Sequence, residues 1–436
     1  MRRYRAFAVV LALGLAGCSG AAEKLLEPFQ GNDDKVLPGA REAVLTANEQ
    51  QSTQASANDP VVIPTAVTNA SWAQPGGVPS NAYHNLALGP QLSRVFSINA
   101  GAGSDGDGRL TASPIIVGGR VFVLDSQAKV RAFSAERGAP VWSTSLVPEK
   151  REGAGAYGGG LASDGSRVYA TTAFGEVLAL DAGSGAIAWR KAVDAPIRAA
   201  PTVSDGMVFV VTVSNDVVAL STSDGAQLWR YQGTGERAAT ISSSSPAVAN
   251  GFVVVPSTSG EVTAFRISDG QPLWSDPLTS GDPTSSLANL NDVAGRPVIA
   301  DGQVYAIAHA GRMAAFLLSN GEQAWSQDIS GTQTPWVAGG YIFVISGRNS
   351  MVAISRSSGA VKWTQKLPGG GVWAGPVLGG GRLIALSSSG TLASLSPQTG
   401  EVLGTLDVGS GFYIAPVIAN GMIYLLSDGG NLIAMR

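Results

Sequence analysis

Gly185-Ala186-Ile187-Ala188-Trp189 is one of six copies of a five-residue frame, Gly-x-x-x-Trp, also present at Gly138…Trp142, Gly225…Trp229, Gly270…Trp274, Gly321…Trp325 and Gly359…Trp363. A spacing of roughly 40 to 50 residues marks a repeat architecture, in which one supersecondary unit cannot bury its apolar face without a neighbour. The residues on either side of the frame define that unit.

Upstream, each unit opens on a small or polar residue and a proline, at Ser113-Pro114, Ala200-Pro201, Ser245-Pro246, Arg296-Pro297, Thr334-Pro335, Gly375-Pro376 and Ala415-Pro416, with Leu161 as the exception. A tight-turn dipeptide follows each time: Gly118-Gly119, Asp164-Gly165, Asp205-Gly206, Asn250-Gly251, Asp301-Gly302, Gly339-Gly340, Gly380-Gly381 and Asn420-Gly421. Such pairs tolerate the positive φ that type I′ hairpin turns demand at both central positions. Next comes an apolar β-rich segment such as Val208-Phe209-Val210-Val211, and then a segment ending in a small and an apolar residue, such as Ala132-Phe133 or Ala179-Leu180. The glycine of the frame turns the chain into a fourth strand, such as Trp142-Ser143-Thr144-Ser145-Leu146. Four antiparallel strands per unit make a propeller blade.

Eight hairpin turns predict an all-β, eight-bladed β-propeller, in which the eighth unit reaches Arg436 after its third strand. Arg94-Val95-Phe96-Ser97-Ile98 reads as a strand with no unit of its own, and we expect it to supply the missing fourth strand of the last blade. Such a clasp removes the open sheet edge that would otherwise template aggregation. The seventh unit lacks the tryptophan, because Gly404 follows Gly400-Glu401-Val402-Leu403.

The 56 glycines of the 436 residues suit a hairpin-dense chain, and a net charge of −3 gives no sign of nucleic-acid binding. Arg2, Arg3 and Arg5 precede a short apolar run from Ala6 to Leu15, too brief to span a bilayer, so residues 1–17 read as a secretory signal. Leu15-Ala16-Gly17-Cys18 resembles the bacterial lipobox, which implies cleavage before Cys18 and its acylation. Ser19 after the cysteine implies, by the same resemblance, an outer-membrane destination facing the periplasm. Residues 18–70 carry no blade signals and read as a mostly flexible tether, with an apolar exception at Lys35 to Leu45, and the propeller is expected over 71–436. Trp72 and Tyr83-His84-Asn85 are expected to pack against the ring.

Catalytic patterns do not emerge. His84 and His309 stand far apart without companion ligands, and the runs Gly158-Gly159-Gly160 and Gly369-Gly370-Gly371 lie between blades rather than between a strand and a helix. The turn-and-tryptophan repeat resembles the pyrroloquinoline-quinone type, found in quinone-dependent alcohol dehydrogenases and in non-enzymatic relatives. The enzymes use adjacent cysteines near the cofactor and a calcium site, whereas Cys18 is the only cysteine here, so neither cofactor nor metal is expected. Lipobox, tether, eight repeats and clasp together resemble the outer-membrane β-barrel assembly lipoprotein B (BamB) family. That resemblance implies a non-catalytic subunit of the machine that inserts outer-membrane barrels, attached to the periplasmic POTRA domains of its central subunit and working beside other assembly lipoproteins on unfolded clients. A quinone dehydrogenase-like enzyme and a cell-wall or carbohydrate-binding propeller are the alternatives.

Blade-connecting loops are where a propeller can vary without disturbing its core. The residue three before each opener is Thr111, Gly158, Arg198, Ser243, Ala294, Thr332, Trp373 or Tyr413, so a lone charge and two successive aromatics stand out. Ala195-Pro196-Ile197-Arg198-Ala199 resembles the family loop whose hydrophobic residue and arginine contact the POTRA partner, which implies contact roles for Ile197 and Arg198. Leu290-Asn291-Asp292-Val293-Ala294 resembles its second docking loop, implying a role for Asp292, although Ala294 replaces the second acidic position. Arg198 and Asp292 could instead pair with each other. Trp373, with Phe412 and Tyr413, is expected to form an aromatic patch on the same end, for an extended client strand or a peptidoglycan-related ligand, unless these rings pack within the funnel.

Overall fold

The computed structural model describes residues 60–149, 158–233, 244–278, 293–309, 311–409 and 411–436. Within them the chain forms eight four-stranded antiparallel sheets and no helix, the expected propeller. Blade 3 shows the pattern: a three-residue innermost strand, Thr202–Ser204, turns at Asp205-Gly206 into Met207–Val211, then Val217–Ser221, then an outermost Gln227–Tyr231. The inner strands are largely buried and the outermost is exposed except at Trp229, which turns toward the neighbouring blade.

The ring closes as the sequence predicts. Strand Arg94–Asn99 pairs antiparallel with Asn431–Met435, so the eighth blade draws its outermost strand from upstream of the first.

The repeated frame holds adjacent blades together. Trp142 Nε1 donates to Ala182 O on the next blade at 3.1 Å, Trp189 to Thr222 O at 3.1 Å, Trp229 to Ile267 O at 2.9 Å and Trp274 to Leu318 O at 2.9 Å. Trp325 and Trp363 repeat the bond to Arg356 O and Pro397 O. Beneath each indole lies the frame glycine of that next blade. At Gly270, φ +71°, an added Cβ would stand 2.4 Å from Trp229 Cε3. Glycine is therefore required both for its backbone and for the ring above it. At the seam between blades 8 and 1, two residues share the role of the tryptophan. Phe96 covers Gly138, where a Cβ would come within 2.8 Å of its ring, and the Tyr424 hydroxyl donates to Ala135 O at 3.0 Å.

The segment ahead of the clasp forms a hub across the central channel. The expected tether segment already packs on the ring from Val61, which is 4 % exposed, and Trp72 is buried as expected. Innermost strands leave backbone groups open toward the channel, and those groups need partners. Residues 69–86 supply them, visiting the blades in circular order. Asn69 bonds Ile418 O and accepts from Asn420 N on blade 8, and Trp72 exchanges both backbone bonds with Ile116 on blade 1. Ala73 accepts from Ser163 N on blade 2, and the Gln74 amide exchanges both bonds with Val203 on blade 3. Pro79 accepts from Val248 N on blade 4 and Ser80 from Ile299 N on blade 5. His84 O accepts from the Trp336 indole on blade 6, and Leu86 pairs with Leu378 and Gly380 on blade 7.

Candidate functional site

Four of the positions three before each opener, on blades 1, 5, 6 and 8, gather around one cavity. Thr111, Ala294, Thr332 and Tyr413 line the mouth of a central funnel whose floor is the hub, at Trp72, Pro75, Gly76 and Asn81. The cavity between them is about 130 Å³. Arg198 holds the equivalent place on blade 3.

The loop carrying Arg198 is strapped by backbone bonds. Ile197 N donates to Thr172 O at 3.3 Å, Val213 N to Pro196 O at 2.9 Å, Gly159 N to Arg198 O at 2.8 Å, and the Thr171 hydroxyl to Ala199 O at 2.7 Å. Ile197 is 0 % exposed and packs with Tyr169, Trp189 and Val208 between blades 2 and 3. This corrects its expected contact role: its methyl groups anchor the loop and are closed to a partner. Arg198 remains partly exposed and has no acidic partner within 4 Å among the described residues. A fixed backbone under a partly exposed cation suits recognition, because less entropy is lost on binding.

The aromatic patch needs the same correction. Trp373 is 2 % exposed within its blade's inner strand Trp373–Gly379, and Phe412 is fully buried, because both fill the core shared by blades 6 to 8. Only Tyr413, 52 % exposed, faces the mouth. Asp292, Ser243 and the lipobox Cys18 lie outside the described residues.

Sequence reasoning missed Arg296. It lies in the funnel wall, partly exposed, with Nη1 3.3 Å from Thr334 Oγ1 and a buried Nε that has no partner among the described residues. Burial pushes its guanidinium down to about 10, so it stays charged at neutral pH. The signal was available: Arg296 is the only charged residue directly preceding an opening proline. Among the described residues no group of three or more His, Cys, Asp or Glu is placed to hold a metal ion.

The closed ring, the indole seams and the rim of strapped loops define a protein class, the eight-bladed propellers built from pyrroloquinoline-quinone-type repeats. The chain belongs to the family described as outer membrane protein assembly factor BamB, whose model matches residues 126–365 and 363–436. Among curated relatives, the outer membrane protein assembly factor BamB of Yersinia pestis is 29 % identical over 241 residues, covering 54 % of this chain and 61 % of that protein. The corresponding protein of Moranella endobia (strain PCIT) is 26 % identical over 244 residues, 55 % of this chain and 63 % of that one. The chain thus spans less than two thirds of these relatives' length. Among solved structures, BamB from Moraxella catarrhalis superposes with a TM-score of 0.68 at 20 % identity, covering 79 % of this chain and all of that one. A quinohemoprotein alcohol dehydrogenase from Pseudomonas putida HK5 does so at 0.63 and 14 % identity, covering 86 % and 83 %. At such identities both matches speak for the fold alone.

Proposed function

We propose that this chain is a non-catalytic scaffold subunit of the machinery that assembles outer-membrane β-barrel proteins. Residues 1–17 serve as a signal, Cys18 carries the lipid that holds the chain to the outer membrane on its periplasmic side, and the segment from there to about residue 60 is the tether. The ring docks on the POTRA domains of the central barrel subunit through the rim that bears Arg198, beside other assembly lipoproteins, and so assists the folding of clients. The observation that supports this reading is the conjunction of the family match with a cation held on a strapped rim loop, without an acidic partner among the described residues. A charged residue of this kind contributes to encounter rate and register with an acidic surface.

Capture of the mature chain by an isolated POTRA region tests the proposal. Arg198→Glu is expected to reduce capture at least about tenfold at low salt, equivalent to about 1.4 kcal/mol. Undiminished capture by the variant would remove the docking site, and no capture by the wild type would remove the scaffold role.

A further inference from the structure

The funnel contains something the scaffold role does not use. Arg296 sits in its wall with a single weak contact, to the Thr334 hydroxyl, while its Nε is buried and unsatisfied. Among the described residues no Asp or Glu lines the cavity, and no ion pair involves Arg296. A charge drawn out of water without a counter-ion destabilises the fold, and a carboxylate is the group whose two oxygens match the planar donor fork of arginine.

The rest of the cavity indicates what the carboxylate would be attached to. Trp72 of the hub and Trp336 of blade 6 lie nearly parallel at 6.3 Å, interplanar angle 20°, and both line the space. Their ring N–H groups are already occupied, by Pro75 O at 3.4 Å and His84 O at 3.0 Å, so what they offer the cavity is apolar ring surface. Tyr413 adds a third ring at the mouth. A volume of about 130 Å³ is close to that of engineered cavities that take up benzene, roughly 150 Å³.

We propose that the central funnel is a binding site for a small planar or aromatic monocarboxylate, with the carboxylate on Arg296 and Thr334 and the ring against Trp72, Trp336 and Tyr413. The site uses different residues from the proposed POTRA contact, since Arg198 is not among those that line the cavity.

Benzoate is the probe, titrated into the full mature chain and followed by calorimetry and by tryptophan fluorescence. Saturable 1:1 binding to the wild type is expected, with binding by neutral benzamide at least about tenfold weaker because it cannot pair with the guanidinium. Arg296→Met should lose the response while melting at or above the wild-type temperature, since it removes a cation whose buried Nε has no partner among the described residues; Arg296→Lys, should the first variant misfold, should bind more weakly than wild type but still prefer benzoate to benzamide. Absence of benzoate binding, equal binding of benzamide, or unchanged binding by Arg296→Met would overturn the site. Sulfate or acetate binding as tightly as benzoate would overturn the aromatic part of the assignment.

Discussion

Trp229 and Gly270 meet across the seam between blades 3 and 4, the indole lying where any Cβ on residue 270 would have to go. Gly270→Ala is therefore expected to cost about 2–4 kcal/mol, from the left-handed backbone and the displaced ring together, and to appear as a lowered melting midpoint with near-normal secondary structure. Trp229→Phe keeps much of the apolar surface but leaves Ile267 O without its donor, and should cost about 1–3 kcal/mol. These pairs were legible from the sequence because glycine and tryptophan both recur at a fixed spacing. Ile197 was not, because an isoleucine beside an arginine in a loop looks the same whether it anchors the loop or projects from it. Only the neighbours Tyr169 and Val208, far off in sequence, show that it is buried.

At the scale of elements, the clasp strand Arg94–Asn99 carries the seam between blades 8 and 1, which has no frame tryptophan. Phe96→Ala should destabilise the ring by about 2 kcal/mol and expose the edge of Asn431–Met435, measurable as faster proteolysis within residues 90–100. Tyr424 gives the same seam a pH dependence. Burial pushes its hydroxyl up to about 12 from an ordinary value of 10.0. Because the folded value is the higher, the stability it contributes is complete below about pH 10 and is lost as pH rises through about 12. Tyr424→Phe should remove that alkaline loss from the melting profile. The clasp was visible as a strand without a unit, whereas the hub was not. Residues 69–86 bond through backbone and short side chains to whichever blade they pass, so they have no period and no apolar alternation to detect.

For the whole molecule, eight blades and their closure followed from counting turns, and the end that bears the loops followed from their equivalence. The funnel did not, since its wall draws on blades 1, 5, 6, 7 and 8, and its floor on residues 72–81, which carry no blade signal. Rim and ring also separate energetically: Arg198→Glu should leave the stability within about 0.5 kcal/mol of wild type, read as a nearly unchanged melting temperature, because surface substitutions away from packed features usually do. A variant that lost POTRA capture together with its fold would not bear on docking, so the melting curve accompanies that measurement.

The circular path of the hub also constrains how the molecule is made. Asn69 is synthesised long before its partners Ile418 and Asn420, the first of them 349 residues further along the chain. The clasp strand waits in the same way for Asn431–Met435. A chain delivered amino end first must therefore hold its own centrepiece unseated until the final blade arrives, so completion of the wheel is a single late event rather than the sum of eight independent ones.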